Sequence, residues 1–162
     1  MNFEIIIIGA GISGASFANK IVKFAKTLLL DAQDISQRPL STNIFPFHNK
    51  PYIEETEWAN VEIFPTYHVK TNYMGSKFDG IVNSEEFGRP LGKVVYLEKL
   101  LNRMIQKFED QGGVFKDKQK VKKINKYSDH LEVITNNGQT FSCKLLVFAT
   151  GSRALDLQRS MG

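Results

Sequence analysis

Apolar residues first gather without alternation: residues 3 to 8 end in four consecutive isoleucines, Ile5 to Ile8. A short β-branched run that is apolar on both faces predicts a strand buried inside a parallel sheet. From Ile12 to Ala25 the spacing turns helical. Gly14, Ala18, Ile21, Val22 and Ala25 fall on one face, and Asn19, Lys20 and Lys23 on the other. "TLLLD", residues 27 to 31, predicts a second buried strand ending in an acid. Strand, glycine turn, helix and strand make a βαβ unit, which implies a parallel sheet.

The pattern then loosens. Residues 32 to 60 carry Pro39, Pro46 and Pro51 among polar positions, yet Phe45, Phe47, Tyr52 and Trp58 call for burial. The stretch from 32 to 96 therefore reads as a partly irregular excursion from one domain covering residues 1 to 162, not as a linker. Within it, residues 61 to 83 predict two short strands around a turn near Gly75. Residues 97 to 110 give the clearest helix: Leu97, Leu100, Leu101, Met104, Ile105 and Phe108 form one stripe that Gly112 and Gly113 stop. "GVFKD", "KVKKINKY" and "HLEVIT" follow as strands, then Asn136-Asn137-Gly138 as a hairpin turn, then "LLVFATG" as another buried strand. The expected fold is α/β, with a central parallel sheet and a β-rich insertion.

Composition narrows the class. With 162 residues, 42% hydrophobic and 23% charged, the chain suits an ordinary globular domain. No apolar run approaches the roughly 20 residues of a membrane span. No basic region precedes the first apolar run, so a secretory signal is not expected there, and a single cysteine, Cys143, cannot close an internal disulfide. A reducing, cytoplasmic setting follows as the expectation. Net charge is +4, with Lys116, Lys118, Lys120 and Lys122 alternating. That alternation reads as the solvated face of a strand; a footing on an anionic membrane surface is its sharper alternative. The lack of interleaved aromatics argues against nucleic acid.

Candidate chemistry centres on "GAGISG". A buried parallel strand delivers the chain to the carboxyl edge of its sheet, where open α/β sheets bind ligands. Gly9 permits a tight turn, Gly11 lets backbone approach a pyrophosphate, and Gly14 lets the helix pack closely on the strand. The first N–H groups and dipole of the helix favour the anion. Asp31 ends the next strand, where a carboxylate accepts hydrogen bonds from ribose hydroxyls and repels the 2′-phosphate of NADP. FAD and NAD share that adenosine half, and the fingerprint does not choose between them. The β-rich stretch before "LLVFATG" disfavours a plain NAD-dependent dehydrogenase domain. Elsewhere the candidates are weak. His48, His68 and His130 lack ligand spacing, Glu54, Glu55 and Glu57 crowd a loop, and Ser13 and Ser16 have no base beside them. Cys143 lacks a Cys-x-x-Cys partner for redox work. No catalytic residue and no metal site is expected.

The order "IIIIGAGISG", "LLLDA", an amphipathic helix ending in Gly-Gly, "VKKI", a hairpin and "LLVFATGSR" resembles the FAD-binding region of two-dinucleotide-binding-domain flavoproteins. "GKVVYLEKLLNRMIQKFEDQGGVFKDKQKVKKI" is most similar to geranylgeranyl reductases and para-hydroxybenzoate-hydroxylase-type enzymes. The resemblance implies a Rossmann-like FAD/NAD(P)-binding domain in which Gly9, Gly11, Ile12, Ser13 and Gly14 line the FAD pyrophosphate. It further implies that Asp31 holds the adenosine ribose, that Val121 meets the adenine through its backbone, and that Ala149, Thr150 and Gly151 close over the cofactor. Leu97 departs from the arginine that opens this helix in those families. Such flavoproteins are longer, so the chain is expected to be an N-terminal FAD-binding fragment, inactive alone. Completed, it would be a flavin-dependent oxidoreductase acting on an apolar substrate, with NAD(P)H as possible electron donor. The rival expectation is a non-catalytic or split-subunit dinucleotide-binding module that self-associates or needs a complementary C-terminal chain.

Overall fold

The computed structural model describes residues 2–37, 42–46, 63–66, 68–72, 79–83 and 92–151. It divides into two compact units, Met1–Pro39 with Leu101–Gly162, and Leu40–Leu100. The second unit runs over most of the stretch read as an excursion from 32 to 96.

In the first unit, β1 (Ile5–Ile8), β2 (Thr27–Leu30), β8 (Val114–Lys116) and β12 (Leu145–Phe148) form a wholly parallel sheet in the order β12-β1-β2-β8. Ile5 to Ile8 pair with Leu145 to Phe148 on one side and with Thr27 to Leu30 on the other. The isoleucines are buried because successive side chains enter different cores. Ile6 and Ile8, with Leu28 and Leu30, pack against Phe3, Val121, Val133, Phe141 and Cys143. Those last four lie in or beside an antiparallel sheet of β9 (Val121–Lys126), β10 (Leu131–Thr135) and β11 (Thr140–Cys143). Ile5, Ile7 and Leu29 instead pack with Ala18, Ile105 and Phe108 of the helices. The layering is therefore antiparallel sheet, parallel sheet, helices. Gly138 sits at a positive φ of 80° in the β10–β11 turn, as Asn-Asn-Gly predicted.

Helix α1 (Ile12–Ile21) ends four residues earlier than its pattern suggested, because Val22 to Phe24 turn the chain toward β2. Asn19 is also misplaced by the pattern. It is buried, not solvated, and its Nδ2 donates to Ala15 O at 2.9 Å and to Met104 O at 2.7 Å. An amide can lie in an apolar interface when carbonyls accept its protons, and here it ties α1 to α2 (Leu97–Asp110). Helix α2 spans the sequence junction of the two units, and its buried Leu101, Met104, Ile105 and Phe108 belong to the expected stripe.

The alternating lysines do not share one strand face. Lys116 ends β8, Lys118 occupies a turn at φ 54°, and Lys122 lies in β9. The chain must break between β8 and β9 to pass from the parallel to the antiparallel sheet.

In the second unit, β3 (Thr42–Pro46), β7 (Gly92–Tyr96) and β4 (Ile63–Thr66) form an antiparallel sheet in the order β3-β7-β4. Strands β5 (His68–Asn72) and β6 (Asp79–Asn83) pair antiparallel, so with β4 the range from 61 to 83 holds three strands among the described residues where two were expected. Phe47, His48, Tyr52, Glu54, Glu55, Glu57, Trp58 and Gly75 lie outside the described residues.

Candidate functional site

Three glycines after β1 do different work. Gly9 has φ +105°, and its N–H donates to Leu30 O at 2.7 Å. A Cβ there would stand 2.4 Å from Ala149 O, so the end of β12 presses directly on the turn. At Gly14 a Cβ would stand 1.8 Å from Gly9 O, which lets α1 start against the turn itself. Both positions are filled by backbone and demand glycine for the fold.

Gly11 is different. It has φ −75° and ψ −175°, extended geometry open to any residue, and a Cβ would meet nothing within 4 Å. The fold does not require a glycine there. Gly11 is the N-cap of α1, whose N-terminus has no side-chain cap and no acid in its first turn. Its carbonyl accepts from Ala15 N at 2.9 Å, and Ile12 and Ser13 follow, half-buried and exposed. An uncapped helix start carries about half a positive charge on orphan N–H groups. Open space over an extended glycine, at the mouth of that helix, leaves room for an anion to approach the backbone.

Asp31 stands beside it, 7% exposed. Its Oδ2 accepts from Ala10 N at 2.7 Å and its Oδ1 from Gln33 N at 2.8 Å. Its own N–H donates to Lys116 O at 3.0 Å, while its carbonyl accepts from Gln119 N at 2.8 Å. The carboxylate expected to hold a ribose thus also fastens the glycine turn to the ends of β2 and β8.

The loops after those strands are laced together. Lys118 N donates to Gln33 O at 3.3 Å, Lys118 Nζ pairs with Asp34 Oδ2 at 2.7 Å, and Ile35 N donates to Asp117 Oδ2 at 3.4 Å. Lys118 and Ser36 hold the Asp34 carboxyl below its ordinary value, and Asp34 raises Lys118 above its own. Val121, buried on its side-chain face, begins β9 two residues after Gln119, so its backbone lies near the same loops. Ala149 donates its N–H to Ile8 O at 2.8 Å, and Thr150 follows beside Gly9. Gly151 is exposed at φ 61°.

The expected residues therefore converge on the carboxyl edge of the first unit's parallel sheet. Sequence reasoning missed the Asp34–Lys118 pair and Gln119; no spacing rule announces them, because they meet only when β8 pairs with β2. Two buried side-chain oxygens at this edge, Gln119 Oε1 and Thr150 Oγ1, have no hydrogen-bond partner among the described residues. Ligand donors and acceptors would satisfy them, so the residues present fit a dinucleotide.

Other candidates stay apart. His130 stacks on Tyr127 with ring centroids 4.6 Å apart, at the β9–β10 turn. Among the described residues no group of three or more His, Cys, Asp or Glu could hold a metal ion. Cys143 is buried, and desolvation pushes its thiol up to about 11. No described helix is long and apolar enough to cross a membrane.

No protein-family model and no curated protein sequence matches the chain. Solved structures do match. A geranylgeranyl bacteriochlorophyll reductase-like protein from Thermoplasma acidophilum aligns with TM-score 0.73 and 18% identity over 99% of this chain and 42% of its own. The Diels-Alderase PyrE3 of pyrroindomycin biosynthesis aligns with TM-score 0.70 and 17% identity over 92% and 32%. The halogenase PltM, solved in complex with phloroglucinol and FAD, aligns with TM-score 0.67 and 14% identity over 91% and 34%. The chain shares the fold of these proteins, a Rossmann-like α/β fold with a central parallel sheet, as the sequence resemblance implied. The chain spans 32% to 42% of the length of these three structures.

Proposed function

We propose that the chain binds FAD noncovalently at the carboxyl edge of its parallel sheet. In this reading it is the FAD-binding part of a flavin-dependent oxidoreductase of the geranylgeranyl reductase type, acting on an apolar substrate. The observation that carries the proposal is Gly11. It is the one glycine of the three whose Cβ would meet open space, and it caps a helix start without a side-chain cap. Gly9, Gly11, Ile12, Ser13 and Gly14 would line the pyrophosphate. Asp31 would hold the adenosine ribose, Val121 would meet the adenine through backbone, and Ala149, Thr150 and Gly151 would close the site.

Bound FAD supplies the electron transfer; these residues bind and orient it. NAD(P)H is the proposed electron donor. Turnover is proposed for a protein that also contains what the longer matched structures contain, and not for these residues alone. A second reading is a non-catalytic module, completed by a second copy or a complementary chain. The span of only 32% to 42% of the matched structures favours it.

Titration of the purified protein with FAD, FMN and NAD tests the proposal. FAD should saturate in the micromolar range, about −8 kcal/mol, and bind more tightly than FMN or NAD. Tighter binding of NAD would replace it with the dehydrogenase reading. Binding of none of the three would remove the dinucleotide site.

A further inference from the structure

Gln119 is 8% exposed, and its side-chain Oε1 is buried without a hydrogen-bond partner among the described residues. Such an atom is costly. An unsatisfied buried acceptor destabilises a protein by about 1–3 kcal/mol, and native structures rarely keep one without a reason. The described donors around it serve other acceptors. Ala10 N and Gln33 N donate to Asp31, Lys118 N donates to Gln33 O, and Lys118 Nζ pairs with Asp34. Gln119's own N–H is spent on Asp31 O at 2.8 Å. These donors are already committed to other acceptors, and a donor on a bound ligand would satisfy Gln119 Oε1.

We infer that Gln119 is a specificity-determining residue for the adenosine half of the dinucleotide, its Oε1 accepting a hydrogen bond from the bound ligand. The inference rests on the FAD-binding reading above. Adenosine presents two kinds of donor, the ribose hydroxyls and the 6-amino group of adenine, and both are matched by an amide oxygen. Nothing in the sequence marks Gln119, since a glutamine within a lysine-rich run reads as solvated surface. Its burial follows from the backbone bond to Asp31, which draws the β8–β9 connection onto the end of β2.

Gln119→Met keeps length and volume but removes the acceptor. FAD titration of parent and variant, with thermal melting of both without ligand, separates the roles. The variant should bind FAD roughly three- to tenfold more weakly, as loss of one hydrogen bond requires, while its melting temperature is unchanged or higher. Competition with AMP, 2′,3′-dideoxy-AMP and the 6-desamino purine ribonucleotide locates the donor. The analogue lacking it should bind parent and variant equally. If the parent fails to bind FAD, the functional reading falls. If the parent binds and Gln119→Met binds equally well, that reading stands and this inference is overturned. A clear drop in melting temperature, or equal sensitivity to the substitution with every analogue, would make Gln119 a structural residue and overturn it too.

Discussion

The carboxylate of Asp31 accepts the amide proton of Ala10 at 2.7 Å, across a gap of one strand, one helix and one turn. This bond fixes the peptide between Gly9 and Gly11, so the acid at the end of β2 sets the shape of the cradle at the end of β1. Asp31→Ala should therefore act twice. Loss of charge-assisted bonds should weaken FAD binding by about 1–3 kcal/mol. The buried N–H of Ala10, left without this acceptor, should also lower the stability of the ligand-free protein, with a smaller share from the part-buried N–H of Gln33. Denaturant melts beside FAD titrations check this, and unchanged stability would reduce Asp31 to a ribose ligand. The parent should bind NADP poorly, because the same carboxylate repels a 2′-phosphate.

Gly14→Ala should be far more damaging to the fold than any change at Gly11. Its Cβ would stand 1.8 Å from Gly9 O and 3.2 Å from Ala149 Cβ, so α1 must move away from both the turn and β12. Overpacking of this kind costs about 1–3 kcal/mol or more. Thermal melting of the variant should show that loss with no ligand added, and a melt matching the parent would show that α1 does not start where the structure puts it.

The Asp34–Lys118 pair makes the connection between the β2 and β8 loops sensitive to acid. Lys118 depresses the carboxyl of Asp34 below its ordinary 3.8, so the stabilisation is present above that value and is lost as pH falls through the lower folded one. Lys118 is raised above 10.5, so the same pair also fails as pH rises past that value. Between these limits the contribution is constant, and salt screens it because both groups reach solvent. Asp34→Asn should melt below the parent near neutral pH and low salt, and the two curves should converge in acid and at high salt. A gap that persists in acid would assign Asp34 a role other than this ion pair.

Cys143 should be inert while the protein is folded. Burial raises its thiol to about 11, and it lies in the core between the two sheets of the first unit. A thiol reagent near neutral pH should label it only after denaturant is added. Rapid labelling of the native protein would mean that β11 opens readily.

Much of this sheet edge was legible in the sequence because its parts are local. Four isoleucines before Gly9, the helical spacing after Gly11 and the acid after "TLLL" each obey a short-range rule, and β1, α1 and β2 follow from them. What failed was whatever depends on distant partners. Asn19 looks solvated beside Lys20 and Lys23, yet the carbonyl of Met104, remote in sequence, makes its burial tolerable. The lysines from 116 to 122 look like one strand face, yet the chain changes sheets among them at a left-handed Lys118. Gln119 is silent for the same reason: its environment exists only once β8 has paired with β2.

The most direct test of the central claim is the dissociation constant for FAD of Gly11→Val beside that of the parent. Because Gly11 has φ −75° and open space where a Cβ would stand, the substitution should leave the fold standing, at a cost of about 1 kcal/mol for a poorer N-cap. The account predicts a variant that melts close to the parent and no longer binds FAD. A folded Gly11→Val protein that binds FAD as tightly as the parent would contradict it.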